Sequence, residues 1–270
     1  MIALLFILIT FLFGTFVGSF LNVVIFRFNT GRTLGGRSRC QSCGKTLRAH
    51  ELVPVLSYCV QRGKCTTCSA RISPQYPIVE ALTGLLFTAV FWKYQFFLVT
   101  FFPYFLVVAG YSILLFVLFL IIFFYDIRHQ IIPNTIVYPL IALSFFAPFV
   151  YSNTALIPYT WSLLTFISGP LVALPLFLLW AFSKGQWLGF GDVKLAVAIG
   201  YLLGVSAGFA SLMIGFWIGG IVGIILLVVH RNRKKVTMKT ALPFAPFLIV
   251  GCALAFFFEI NLASLVGLLQ

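Results

Sequence analysis

Phe105 to Tyr125 runs for 21 residues without a single charge. No small water-soluble fold can easily bury every face of a helix that long. A bilayer core takes about 20 apolar residues as one helical crossing. A membrane barrel is excluded on the same stretch, because barrel strands alternate in polarity and are about ten residues long. The whole chain follows suit: 61% of its 270 residues are hydrophobic, 9% are charged, and only five are acidic. The net charge of +13 does not point to nucleic acid, because the basic residues are interleaved with apolar spans, where they set orientation. The sequence therefore predicts an all-α polytopic membrane protein of about eight transmembrane helices with a small zinc-binding cytoplasmic loop domain.

Taken in order, the spans are expected at Met1 to Phe26, Ile78 to Trp92, Phe101 to Tyr125, from Pro133 to about Tyr151, and Thr160 to Phe182. Three more are expected from Asp192 to Gly204, from Phe209 to Val229, and after Pro243 and Pro246. The first has no basic start and no small-residue cleavage site, so it is read as a retained helix with its N-terminus outside. This arrangement leaves Lys93 outside and puts every other Lys and Arg at the cytoplasmic side, including the cluster Arg231, Arg233, Lys234, Lys235 and Lys239. No internal repeat and no glycine-rich phosphate loop stands out. On one face of the first span Gly14, Gly18 and Asn22 recur every fourth residue, a pattern suited to close helix packing with a polar group turned inward. Asn22 and Arg27 fit either a structural role or substrate contact.

Between Phe28 and Pro77 the composition turns polar and basic. This segment holds Cys40-x-x-Cys43 and Cys65-x-x-Cys68, separated by the 21 residues 44–64. That spacing fits a four-thiolate zinc site made of two knuckles. Two disulfides are the weaker account in a reducing compartment. Four thiolates leave zinc no open position, so its expected role is structural. Cys59 and Cys252 fall outside the pattern and are read as buried small hydrophobes. The chain thus divides into the first helix (1–27), a zinc-binding loop (28–77) and a seven-helix core (78–270).

Asp126 and Asp192 are the only aspartates, and each stands where an apolar span meets a short polar connection. The span count puts both at the cytoplasmic face. Asp192 alone could be an ordinary helix N-cap. As a pair, two carboxylates in a poorly solvated site can share one proton, one acting as base on water and the other as acid on a carbonyl oxygen. Asp192, at a helix start, is expected to be the more readily ionised. Gly189 and Gly191 would let backbone approach closely. No serine-nucleophile elbow and no zinc-protease helix competes, and His50, His129 and His230 read as solvated edge residues.

These motifs resemble the type IV prepilin peptidases, membrane aspartic proteases of the GxGD class. The resemblance is carried by G-S-F-L-N-V-V-I-F-R from Gly18 to Arg27, the paired C-x-x-C loop, and Arg62-Gly63-Lys64-Cys65. It continues through Tyr76-Pro77-Ile78-Val79-Glu80, Asp126 with Ile132-Pro133-Asn134, and Gly189 to Leu195. It implies that Asp126 and Asp192 are the catalytic pair, cutting the basic leader of type IV prepilins or pseudopilins after a glycine at the cytoplasmic face of the bacterial membrane. It further implies N-methylation of the new terminus with S-adenosylmethionine, tied to the N-terminal half, where Asn22, Arg27 and Glu80 are candidates by position. Two departures are Ala245 within Pro243-Phe244-Ala245-Pro246, where the family has glycine, and Gln41 where it often has proline. The expected partners are prepilin substrates and membrane lipid, whose anionic head groups could separate basic loops from a basic leader. The rival readings are a peptidase without methyl transfer, a cation or proton transporter using the same aspartates, and a zinc-anchored scaffold.

Overall fold

The structure is a computed structural model that describes residues 2–29, 33, 35–151, 163–229 and 243–269. The loop expected after Tyr151, His230 and the basic cluster 231–239 lie outside these residues. The described residues are almost entirely helical, with two isolated bridges (Arg39 with Thr46, Lys64 with Arg71) and no strand. In chain order the helices are α1 (Ile2–Arg27), α2 (Leu56–Val60), α3 (Gln75–Thr100), α4 (Phe102–His129) and α5 (Asn134–Phe145). They continue with α6 (Ala147–Tyr151), α7 (Leu163–Phe182), α8 (Phe190–Val229), α9 (Ala245–Phe258) and α10 (Leu262–Leu269). Five of them, α1, α3, α4, α7 and α8, are long and apolar enough to cross a membrane. Their outer faces stay greasy: Leu4 is 71% exposed and Val99 89%, surface that lipid rather than water must cover.

Two boundaries differ from the sequence reading. The second span was expected to stop at Trp92, but α3 continues through Lys93 to Thr100. One lysine does not end a helix whose next turns are Phe96, Phe97, Leu98 and Val99, because its methylene stem can lie along apolar surface while the charge reaches a polar zone. The sixth and seventh spans are one helix, α8, interrupted only at Gly204, whose φ of 76° and ψ of −177° break the helical path. A Cβ on Gly204 would meet nothing within 4 Å, so backbone conformation rather than crowding calls for glycine there.

Contacts divide the chain into two compact units, residues 1–117 and 118–270, with α4 running across the boundary. In the first unit α1 packs on α3. A Cβ at Gly14 would lie 2.8 Å from Gly84 Cα, one at Gly18 would lie 2.7 Å from Glu80 Cα, and Asn22 bonds the Tyr76 carbonyl. As α1 steps forward by four residues α3 steps back by four, so the two helices are antiparallel and nearly touch backbone to backbone. This is the small-residue packing that a bilayer favours, since lipid offers no hydrophobic drive to bring helices together. Ring pairs extend the seam: Phe26 with Tyr76 (4.7 Å), Phe13 with Phe87 (5.7 Å) and Phe6 with Phe91 (5.8 Å).

In the second unit α8 is the hub, packing against α5, α6, α7, α9 and α10. Small residues again set the distance. A Cβ at Gly200 would lie 2.6 Å from Ser168 O of α7, and one at Gly215 would lie 3.2 Å from Leu248 Cα of α9. The buried layer between these helices includes Leu176, Leu195, Ile199, Leu202 and Leu248, all fully enclosed.

Candidate active site and metal centre

Asp126 lies in the last turn of α4, which closes when the Gln130 N–H reaches Asp126 O at 2.8 Å with Gln130 in a left-handed conformation. Asp192 lies in the first turn of α8, its N–H bonding Gly189 O at 3.1 Å. Both carboxylates are nearly enclosed, at 5% and 9% exposure, and they lie close enough to act on each other electrostatically. Each is gripped by a backbone N–H: Ala245 donates to Asp126 and Gly189 donates to Asp192. Ala245 is the first residue of α9, so Asp126 also faces a helix N-terminus. The dipole argument that singled out Asp192 therefore applies to both. One oxygen of Asp126, Oδ2, is buried without a partner.

The connection between α4 and α5 forms the wall of this site. A Cβ on Gly191 would stand 2.9 Å from Ile132 Cβ, so only glycine lets the two segments meet as they do. Gly189 is different, since its added Cβ would meet Asp192 Oδ2 at an ordinary 3.5 Å. The steric demand thus falls on one of the two glycines. Lys194 ties the same elements together, donating to Asn134 Oδ1 at 2.8 Å and lying over the rings of Tyr138 and Phe190. Neither Lys194 nor the Ala245 amide was given a role by the sequence reading. Lysine two residues after Asp192 was the visible signal for the first; a backbone N–H gives none.

The loop of the first unit holds a second site. Cys40, Cys43, Cys65 and Cys68 place their sulfurs within 4.8 Å of one another, with Cys40 and Cys68 3.8 Å apart. Four ligands at a zinc–sulfur bond of about 2.3 Å sit at tetrahedron corners roughly 3.8 Å apart, so the cluster could hold a metal ion. The alternative of two disulfides is not adopted; all six cysteines are free. The halves are built alike. Cys40 N bonds Lys45 O as Cys65 N bonds Ala70 O, both at 2.9 Å, and Gly44 N bonds Cys40 O as Ser69 N bonds Cys65 O, both at 3.0 Å. A short local repeat is therefore present where the sequence had shown none. In each half the knuckle amides favour the first thiolate: the N–H groups of Cys43 and Ser42 bring Cys40 down to about 6, and those of Cys68 and Thr67 lower Cys65.

Glu51, absent from the sequence reading, latches the two knuckles. Its carboxylate accepts the Arg48 N–H (2.8 Å), the Thr66 hydroxyl (2.5 Å) and Lys45 Nζ (3.0 Å). Those contacts hold its carboxyl down at about 2. The signal available was a glutamate three residues after Arg48, at the start of a short 3₁₀ turn over Ala49–Leu52. Cys252 is buried as expected, but Cys59 is exposed, because α2 buries none of its five residues. His50 and His129 are exposed, consistent with edge positions.

The three remaining candidates lie at the junction of this loop with α1 and α3. Asn22 and Glu80 are buried and face each other's helices, whereas Arg27 donates Nη1 to the carbonyls of Thr33 and Gly35, at 2.7 Å each.

Fold and sites together define a polytopic helical membrane protein with a four-cysteine metal-binding loop and a buried carboxylate pair. Residues 12–94 match the model of the bacterial peptidase A24 N-terminal domain, and residues 113–224 match that of the type IV leader peptidase family. A prepilin leader peptidase/N-methyltransferase of Bacillus subtilis is 31% identical over 257 residues, covering 95% of this chain and 96% of its own. The protein of that name from Pseudomonas aeruginosa is 30% identical, over 91% of this chain and 88% of its own. The one from Myxococcus xanthus is 33% identical, over 87% and 68%. No solved structure matches. The chain belongs to the type IV leader peptidase family and is a membrane peptidase.

Proposed function

We propose that this enzyme removes the basic leader of type IV prepilins or pseudopilins, cutting after a glycine at the cytoplasmic face of the bacterial inner membrane, with Asp126 and Asp192 as the catalytic pair. The reading is carried by the meeting of these two buried carboxylates at helix ends, each with one backbone donor. One carboxylate draws a proton from water, which attacks the scissile carbonyl, and the other protonates the carbonyl oxygen and then the leaving amine. The unpartnered Oδ2 of Asp126 is an acceptor for that water. Lys194 and Asn134 brace the Gly189–Asp192 turn against the α4–α5 connection. A prepilin begins with a charged leader and continues as an apolar helix, so it would lie beside the enzyme's spans with its leader in the cytoplasm.

The new N-terminal residue is then methylated. Residues 1–27 and the loop 28–77 serve that step, and 78–270 serves cleavage. Cys40, Cys43, Cys65 and Cys68 would hold a structural zinc ion, which supplies no catalytic water because its four positions are taken. S-adenosylmethionine, when bound, supplies an activated methyl group. The buried acceptors Asn22 and Glu80 suit a ligand that brings donors, whereas Arg27 fastens the loop.

Purified protein incubated with prepilin and methyl-labelled S-adenosylmethionine tests both halves, with N-terminal sequencing of the product. Cleavage after glycine with label on the new terminus is the expected result. Cleavage without label would remove the methyl-transfer half, and cleavage by D192N at the wild-type rate would overturn the aspartate assignment.

A further inference from the structure

Glu80 and Asn22 form a buried acceptor set with no cation to answer it. Glu80 is 7% exposed and Asn22 1%. Glu80 Oε2 accepts the Val55 N–H at 2.8 Å, and Ser19 adds a side-chain hydrogen bond. None of the ion pairs among the described residues reaches Glu80. Asn22 gives its Nδ2 to Tyr76 O at 3.1 Å, the carbonyl one turn before Glu80, and its Oδ1 has no partner. An amide and a hydroxyl satisfy hydrogen bonds to a carboxylate but leave its charge unbalanced, a costly state where water is scarce.

The loop above this pair is strained. Val55 adopts φ 62° and ψ −52°, and Leu56 N bonds Pro54 O at 2.6 Å, closing a three-residue turn of a kind that a β-branched residue rarely enters. Such strain persists where surrounding groups enforce it, and here the buried carboxylate grips the strained amide itself.

The geometry points to a binding site for a primary ammonium group, held by the Glu80 carboxylate and Asn22 Oδ1. An ammonium brings three donors and one positive charge, which is what this acceptor set lacks. A calcium ion would need six to eight oxygens, more than the pair offers. The inference rests on the methyl-transfer reading for its two sources of ligand: the N-terminus freed by cleavage, and the amino-acid end of the methyl donor. With the freed N-terminus in place, Glu80 takes the proton that the ammonium must lose. The neutral amine then forms its N–C bond as the C–S bond of the donor breaks, and a thioether leaves.

The test measures binding to the full-length, zinc-loaded protein in lipid nanodiscs. The probes are a synthetic peptide with the mature prepilin N-terminus, free or N-acetylated, and S-adenosylhomocysteine. If the peptide amine is the ligand, the wild type binds the free peptide at least tenfold tighter than the acetylated one, and E80Q erases the difference. If the donor's ammonium is the ligand, E80Q instead weakens S-adenosylhomocysteine at least tenfold. N22A weakens the same ligand several-fold in either case. Glutamine still accepts the Val55 N–H, and unchanged zinc content certifies that the variants are folded. Equal affinities in wild type and E80Q for all three probes would overturn the site, as would equal losses for free and acetylated peptide. An ammonium preference in a wild type that transfers no methyl group would uphold the site and remove the methyl-transfer reading instead.

Discussion

The Asp126 carboxylate accepts the backbone N–H of Ala245, the residue that opens α9. Ala245 is fully buried, and it occupies the position where related sequences carry glycine in a proline-flanked run. What the site takes from this position is an amide at a helix start, and alanine offers the same donor as glycine. The departure noted in the sequence therefore leaves the polar contact intact.

Asp126→Asn keeps an oxygen for the Ala245 amide but cannot exchange a proton. Cleavage of prepilin should fall by about 10²- to 10⁴-fold, the usual worth of a general acid or base, with the unfolding temperature within error of wild type. Asp126→Ala should lose activity and also lower the unfolding temperature, because it strands a buried amide. Gel-shift assays of leader removal and thermal melts in detergent check both.

Gly191 and Gly189 should separate under the same substitution. Gly191→Ala places a methyl group 2.9 Å from Ile132 Cβ and must push the α4–α5 connection away. Overpacking of this kind costs about 1–3 kcal/mol, so cleavage should drop by tenfold or more. Gly189→Ala meets only an ordinary contact and should stay within about threefold of wild type on the same scale. The ratio of kcat/KM values for the two variants is the measurement.

Much of this was open to view in the sequence, and the misses share a cause. Apolar runs located the helices because membrane length is a constraint on composition itself, and the paired C-x-x-C spacing located the metal cradle. Boundaries failed where one residue was overweighted: Lys93 was taken as the end of a span that continues to Thr100, and Gly204 was taken as a gap between two spans that one kinked helix joins. Backbone amides such as those of Ala245 and Val55 carry no sequence signature. Glu51 was overlooked because a single acidic residue in a basic loop looks solvated until its three donors converge on it.

Glu51 gives the loop a pH signature. Its carboxyl is held down at about 2 from an ordinary 4.5, first by the Arg48 amide and then by Thr66 and Lys45. A lowered value means that its contribution is complete above about pH 4.5 and fades as the pH falls toward 2. Glu51→Ala should weaken zinc retention by roughly 10- to 100-fold at neutral pH, the usual effect of losing an outer-shell partner. The difference from wild type in proteolytic protection of the loop should vanish between pH 4.5 and 2.

Stripping the metal should expose an order among the thiols. The knuckle amides bring Cys40 to about 6, so at pH 7 it is largely thiolate. The Ala70 N–H favours the Cys68 thiolate, yet burial and the neighbouring sulfurs outweigh it and raise Cys68 to about 11. Chelator-treated protein should therefore be alkylated at Cys40 well before Cys68, as read by peptide mass mapping. Zinc-loaded protein should protect both, with about one zinc per chain by elemental analysis, and Cys65→Ser should lose the ion while Cys59→Ser keeps it.

Two helical glycines of the first unit provide the last contrast. Gly110 lies in α4 with nothing within 4 Å of an added Cβ, whereas Gly18 lies on α1 with Glu80 Cα 2.7 Å from one. At Gly110 alanine gains helix propensity, worth up to about 1 kcal/mol, so Gly110→Ala should be neutral or stabilising. At Gly18 the same methyl group has to part α1 from α3 and so displaces the carboxylate of Glu80. Gly18→Ala should lower the unfolding temperature and depress methyl transfer more than leader cleavage. Equal loss of both activities would mean that the α1–α3 seam supports the whole molecule rather than the junction where Asn22 and Glu80 meet.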